Sequence, residues 1–517
     1  MRNLPLSRRG VLAGAGGLAV SALSPVLADN TLVLKTRSSL DVSVLDPPNR
    51  ISVTDGDVMR AIFSGLVRLK PGDAWQWEKD VAVSIEQVDP THIKFQLRPG
   101  VPWTNGFGEV TAEDVKFSYE RYIDPTFKAA YRTDWESLDH VETTDSYSGV
   151  IVLKRPFVPL WASTLPAASG MIVCKKAVEA LEGKRFTLEP PATSGPYKIK
   201  KLEPRRSITL ERNPLWPGKR PAFDEIQYIQ IVDANAAEIA FSAGEVDFTQ
   251  LPLSSIGRVK KSPPAHSKLT VQPALAYWWL GMQSEAGIFS DPRVRQAVQY
   301  AVDVDMVLEG AFFGAAERAT GIIAPGLSGH RPANKIQKPD PDKARDLLIK
   351  AGYTNGFKTT IGVRNSAEFV NAAQIVAASL APVGIAAEVV PMEASAQRAM
   401  AIDKNGAWKQ MGLHILRFTM QPDPSWATAW FVTSQIGEWN WERFSSPEFD
   451  RLDVEAKSEL DPAKRAAMYV RMQDLMEESG SYVFLTHGSI ASIYRDTIRP
   501  ALSPDGQFQI FTDFTPA

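Results

Sequence analysis

Three times this sequence places aspartate and proline ahead of an apolar pattern with a helical period. Asp291-Pro292 precedes Val294, Ala297, Val298, Ala301 and Val302; Asp340-Pro341 precedes Ala344, Leu347 and Leu348. Asp461-Pro462 precedes Met468, Met472, Leu475 and Met476. The aspartate side chain can cap free N–H groups of a first turn, and proline at the first helical position gives up no hydrogen bond. Gly352 and Gly480 supply the stops. Between the second and third starts, Phe357 to Val363 and Ile385 to Val390 read as strands around a helix from about Glu368 to Leu380. Such a strand–helix–strand unit commits this part of the chain to an α/β arrangement.

The same alternation runs upstream. Thr31 to Lys35 is a short apolar strand, and Ile93, Phe95 and Leu97 alternate with Lys94 and Gln96 as a half-buried one. Val58, Ala61, Ile62 and Leu66 follow a helical period that Gly65 relaxes. Thr111, with Asp114 three residues on, opens a helix through Val115, Tyr119 and Tyr122. Tyr197 to Ile199 and Ser207 to Leu210 form a hairpin across Glu203-Pro204, and Tyr277 to Met282 begins a new strand. A chain of 517 residues exceeds what one core supports, so two or three domains are expected.

Composition removes several classes of function. Net charge is −2 with no basic block, which gives no footprint for nucleic acid. The single cysteine, Cys174, excludes an internal disulfide framework and reads as a buried structural thiol. Ser7-Arg8-Arg9-Gly10-Val11-Leu12 is a twin-arginine export pattern, followed by an uncharged, glycine-containing stretch to a small-residue cleavage signal at Val26-Leu27-Ala28. Removal of residues 1–28 would take Arg2, Arg8 and Arg9 and no acid. No second hydrophobic span follows, so a soluble periplasmic product is expected.

Aromatics concentrate between Trp408 and Arg443, which holds Trp408, Trp426, Trp430, Trp439 and Trp441, five of the chain's 13 tryptophans, together with Arg417 and Phe418. Pro422 and Pro424 interrupt any helix there. Large aromatics on irregular backbone suit a pocket wall; a tryptophan-lined core is the alternative. Chemistry-bearing motifs are missing. The sequence has no GxxxxGK[ST] loop, no HExxH, no paired CxxC and no GxSxG elbow. Its six histidines are scattered, and His414 reads first as a hydrogen-bonded core residue and second as a metal ligand. No cofactor or metal is expected.

Longer motifs carry a resemblance. Leu45-Asp46-Pro47, IFSGLVRLKPG (Ile62 to Gly72), IKFQLRPGVPWTNG (Ile93 to Gly106), TAEDVKFSYER (Thr111 to Arg121), TSGPYKI (Thr193 to Ile199), LERNPLW (Leu210 to Trp216), AFSAGEVDF (Ala240 to Phe248), SDPRVRQAVQYAVD (Ser290 to Asp303), KARDLLIKAGY (Lys343 to Tyr353) and FDRLDVEA (Phe449 to Ala456) follow one another in order. In that order the chain resembles the peptide/nickel-type (family 5) solute-binding proteins of ABC importers, over essentially all of its mature length. The resemblance implies an α/β, two-lobed periplasmic-binding-protein fold of type II, with an extra subdomain in the first lobe and hinge closure around a ligand. Mapped here, lobe I covers residues 29–57, 185–273 and 491–517, its subdomain 58–184, and lobe II 274–490.

Trp278, Trp279, Arg364, Trp408, Arg417, Phe418, Met420, Trp426, Trp439 and Trp441 are then the expected ligand-binding residues. Peptide-binding relatives place an aspartate four residues before the proline of a D-P pair, where it holds the peptide's ammonium. Here the pair is Asp423-Pro424, and Met420 stands at that position. Arg364 lies within about a residue of where some dipeptide binders place a carboxylate-binding arginine; for it and for Arg417 the alternative is a solvated surface charge. The resemblance implies a monomeric receptor that hands a small solute, peptide-like, opine-like or another anionic conjugate, to the permease subunits of an importer. A periplasmic hydrolase needs a nucleophile–base pair that the sequence does not display. A chaperone-like or signalling receptor on the same fold would lack an importer.

Overall fold

The computed structural model describes residues 31–517; the twin-arginine pattern and the cleavage signal at position 28 lie outside the described residues. The three Asp-Pro starts open the helices Pro292–Ala301, Pro341–Lys350 and Pro462–Glu478. In each the aspartate side chain accepts from a first-turn N–H, as from Arg293 and Lys343. Thr111 and Asp114 close a capping box on the helix Ala112–Ile123. The helix Val53–Ile62 stops short of Leu66, because Ser64–Gly65 pairs with Met171–Ile172 as a strand.

Three larger sheets organise the chain. The first has seven strands in the order Tyr197–Glu203, Ser207–Arg212, Glu225–Gln230, Val33–Ser38, Phe248–Leu251, Ser489–Arg495, Ser267–Pro273. The strand nearest the N-terminus sits in the middle, parallel to Glu225–Gln230, and a strand from near the C-terminus fills the gap beside Ser267–Pro273. The second has five, in the order Ile385–Met392, Phe357–Arg364, Leu413–Thr419, Ala276–Met282, Tyr482–Thr486. Its pair Phe357–Arg364 and Ile385–Met392 is parallel and joined by the helix Ala367–Leu380, the unit expected from the sequence. A four-stranded antiparallel sheet, Ala82–Asp89, His92–Leu97, Ser148–Leu153, Leu138–Thr143, carries a separate core around Trp103, Tyr119 and Trp135.

A buried ion pair ties that smaller unit to the first sheet's lobe. Arg121 donates to both carboxylate oxygens of Asp46 at 2.9 and 2.7 Å and to the Lys184 carbonyl at 2.9 Å. The Leu45-Asp46-Pro47 and TAEDVKFSYER motifs are therefore two halves of one contact.

The chain crosses between the two large sheets twice, after Pro273 and after Thr486. The crossings touch: Ala274 N donates to the Gly488 carbonyl at 3.3 Å, and His487 Nδ1 meets the Ala276 carbonyl at 2.8 Å. Gly488 has φ +74°, a left-handed turn that glycine adopts without Cβ strain. On the far side of the cleft the lobes meet again. Val158 N donates to the Lys457 carbonyl (2.9 Å), Ser458 Oγ to the Pro156 carbonyl (3.1 Å) and Asp423 N to Ser163 Oγ (3.0 Å). The lobes are closed on each other.

Candidate functional site

Side chains alternate across a strand, and the register of Ala276–Met282 against Leu413–Thr419 sorts the expected residues onto two faces. Trp278 opposes Arg417, Tyr277 opposes Phe418, and Trp279 opposes Leu416. Trp278 and Arg417 look toward the crossing strands. Tyr277, Trp279 and Phe418 look the other way, into a core shared with Phe431 and Tyr482.

Most of the tryptophan-rich stretch belongs to that core, not to a pocket wall. Trp279 is fully buried, and its Nε1 donates to Glu442 Oε1 at 2.6 Å, an oxygen that His414 Nε2 also meets at 2.8 Å. Turning Trp279 into a cleft would forfeit about 3 kcal/mol of burial and a charge-assisted hydrogen bond. His414 is thus a core partner of a carboxylate, and among the described residues no cluster of His, Cys, Asp and Glu could hold a metal. Trp441 is buried with its Nε1 on the Glu438 carbonyl at 3.1 Å. Trp408 lies under the Arg443 guanidinium at 3.9 Å and Trp439 under Arg398 at 4.0 Å. Phe418 packs edge-on against Trp279 and Trp439. Of the ten expected residues, Trp278, Arg364, Arg417, Met420 and Trp426 line cavities between the lobes.

Two such cavities abut across the crossing strands. The one nearest them, about 400 Å³, is lined by Arg37, Trp278, Arg364, Glu368, Arg417 and His487, among others. Arg37 is committed, with Nε on the Ile231 carbonyl (2.8 Å) and Nη2 on the Val232 carbonyl (2.9 Å). Arg364 Nε is buried with no hydrogen-bond partner, its guanidinium 5.6 Å from the Phe369 ring. Burial holds the Arg417 pKa below its ordinary value; Glu368 opposes this and the like charge of Arg364 adds to it. Trp278 closes the floor, wedged between Phe312 and Phe369 at 5.2 and 4.3 Å. Arg364 and Arg417, without ion-pair partners among the described residues, both line a space that holds one acid, Glu368. That arrangement is unfavourable when empty and suits a carboxylate.

The second cavity, about 320 Å³, is walled by Leu275, Met420 and Trp426 on one lobe and by Arg50, Arg60, Tyr131 and Asp505 on the other side. Asp423, the acid of the D-P pair, is unavailable to it: its carboxylate pairs with Arg465 Nη2 at 2.8 and 2.9 Å and is 2% exposed. Arg50 is occupied by Pro47, Ser169 and Asp134. Arg60 and Asp505, which the sequence reading passed over, remain. Neither carries a signal: at 3.6 residues per turn Arg60 falls on the side of its helix opposite Val58, Ala61 and Ile62, and Asp505 sits in an ordinary turn sequence, Ser503-Pro504-Asp505-Gly506.

Comparison with known proteins bears on the family and the fold. The model of bacterial extracellular solute-binding proteins, family 5 Middle, matches residues 76–438. A glutathione-binding protein GsiB of Escherichia coli O6:K15:H31 is 25% identical over 501 residues, covering 94% of each chain. The GsiB of Pectobacterium atrosepticum is 26% identical over 511 residues, covering 95% of each. Among solved structures, HbpA2 from Haemophilus parasuis superposes with a TM-score of 0.81 at 20% identity, over 94% of this chain and 100% of that one. The protein MoaA from A. tumefaciens R10, in complex with mannopinic acid, gives 0.73 at 22% identity, over 94% and 99%. The structural likenesses carry the two-lobed fold.

Proposed function

The chain belongs to the bacterial extracellular solute-binding proteins, family 5, which are binding components and not enzymes, and from that membership we propose that its solute is a small, peptide-like anion. The convergence of Arg364 and Arg417 on the cavity above Trp278 carries this reading. A carboxylate there would face two guanidinium groups, each charge-assisted hydrogen bond contributing about 1.5–3 kcal/mol. Capture at about micromolar affinity needs roughly −8 kcal/mol, which two such contacts plus apolar area can reach. The relatives named for glutathione, a tripeptide with carboxylates at both ends, support the same class. Met420 at the usual acid position argues against ordinary peptides that rely on that anchor.

The receptor acts in the periplasm as a monomer, reached by the twin-arginine route through Arg8 and Arg9, and passes its solute to the permease subunits of an ABC importer. Closure is the selective step: contacts from both lobes make the closed form the tighter binder. Native mass spectrometry of the protein as isolated identifies a co-purified solute by mass. Calorimetry then compares glutathione with its glycyl amide; at least a 10-fold loss on amidation is expected. Equal affinity for the two, or binding of neither together with a co-purified solute lacking any acidic group, defeats the proposal.

A further inference from the structure

The cavity on the Met420 side holds two opposite charges that do not meet. Arg60 and Asp505 both line it, and no ion pair joins them. Arg60, in the helix Val53–Ile62, leaves Nε and Nη1 without hydrogen bonds; Nη1 stands 3.6 Å from Asp57, and the guanidinium plane lies 4.2 Å over the Phe508 ring. Asp57 is engaged behind it, accepting from Tyr228 Oη at 3.0 Å and Gln509 N at 3.3 Å. Asp505 is 2% exposed. One oxygen accepts from Ser503 Oγ (2.5 Å) and Gln507 N (3.2 Å), while Oδ2 is buried without a partner. Burial pushes the Asp505 pKa up, and hydrogen bonding from Ser503 and from backbone groups, that of Leu275 among them, opposes it. Both residues are fixed, Arg60 by its helix and ring, Asp505 by the turn in which Gly506 N donates to the Ser503 carbonyl at 2.8 Å.

A ligand group that carried only an ammonium would meet Asp505 but be repelled by Arg60. One that carried only a carboxylate would meet Arg60 and be repelled by Asp505. A group bearing both on one carbon satisfies both: it supplies hydrogen bonds that Arg60 Nε and Nη1 lack beyond the 3.6 Å ion pair with Asp57, and a counter-charge for Asp505. We propose that this cavity recognises an α-amino-acid head group, its carboxylate on Arg60 and its ammonium on Asp505, with Met420 and Trp426 as the apolar wall. The ammonium anchor absent from the Met420 loop is thereby supplied from the opposite lobe. This assignment rests on the reading of the protein as a receptor for a peptide-like anion, whose far carboxylate would occupy the Arg364–Arg417 cavity.

Three probes of one length separate the contributions. γ-Glutamylglycine carries the full head; γ-aminobutyrylglycine lacks its α-carboxylate, and glutarylglycine lacks its α-amino group. Calorimetry on the mature protein should find each truncated probe at least 10-fold weaker than the parent. Arg60→Gln should bind the parent no better than γ-aminobutyrylglycine, and Asp505→Asn no better than glutarylglycine. Arg60→Lys, which keeps the charge, should retain part of the preference for the carboxylate, and unfolding curves for all variants establish that they are folded. The assignment is overturned if either truncated probe binds as tightly as the parent, if each variant weakens all three probes equally, or if the parent does not bind. Amidating the glycine carboxylate tests the other cavity separately. If amidation has no effect while the head preferences persist, the Arg364–Arg417 anchor fails and the head assignment stands.

Discussion

The Asp423–Arg465 pair fixes the loop that carries Met420 and Trp426, and removing one partner should unfold the second lobe early. Both side chains are almost fully buried, at 2% and 7% exposure. Arg465 also donates to the Ala456 carbonyl at 2.7 Å and to Tyr469 Oη at 3.0 Å. In Arg465→Met the Asp423 carboxylate stays buried with one remaining donor, Ser425 N at 2.9 Å. Stranding a buried charge in this way costs about 3–5 kcal/mol. For a lobe of roughly 200 residues, 1 kcal/mol corresponds to about 2–4 °C, so its transition should fall by about 6–20 °C. Asp423→Asn combined with Arg465→Met removes both charges, and the pair should recover most of that loss because the cost lies in the unpaired ion. Differential scanning calorimetry of the wild type, both single variants and the double variant measures the coupling directly. A fall of less than about 2 °C in Arg465→Met, or a double variant equal to the sum of the singles, would refute the reasoning.

Arg417→Met should weaken binding of an anionic solute about 10- to 150-fold, the equivalent of one charge-assisted contact, while leaving the unliganded melting temperature unchanged or higher, since it relieves repulsion with Arg364; a lower melting temperature with unchanged affinity would mean Arg417 is structural. Gly281→Ala should destabilise by about 1–3 kcal/mol, because a Cβ there meets Glu442 Oε1 and His414 Nε2; an unchanged urea midpoint contradicts the packing described. Burial, with His330 adding and the Ala276 carbonyl opposing, lowers the His487 pKa to about 4. The unfolded chain, with a histidine pKa near 6.5, then binds more protons between those values, so this group's stabilisation is present above about pH 6.5 and is lost as pH falls toward 4. That amounts to about 3 kcal/mol. Asp57, pushed up to about 7 by burial, has a slope of the opposite sign. The test is therefore the difference between wild type and His487→Gln in urea unfolding across that range, and parallel curves would exclude the effect.

The local signals read well from sequence where the cause is itself local. An aspartate caps the N–H groups one to three residues on, and a 3.6-residue apolar period needs only its own helix, so the Asp-Pro helices emerged where expected. The helical period through Val58, Ala61 and Ile62 does not by itself place the stop at Ile62, because the strand partner of Ser64–Gly65, Met171–Ile172, is remote in sequence. The adjacent tryptophans of the strand Ala276–Met282 cannot be sorted from sequence for a related reason. Composition cannot say which face of a strand meets a core, and a shift of one residue would exchange Trp278 for Trp279.

Sequence by itself determined the α/β class and the ordered run of motifs, because each depends on residue identity or near-neighbour spacing. Tertiary structure alone decided that Trp279 and Trp441 are core, that Asp423 is spent on Arg465, and that Arg60 and Asp505 face one cavity. Those two come from opposite ends of the chain. They face one cavity because the first sheet takes in strands from both ends of the chain, Val33–Ser38 and Ser489–Arg495, an arrangement that no local pattern encodes.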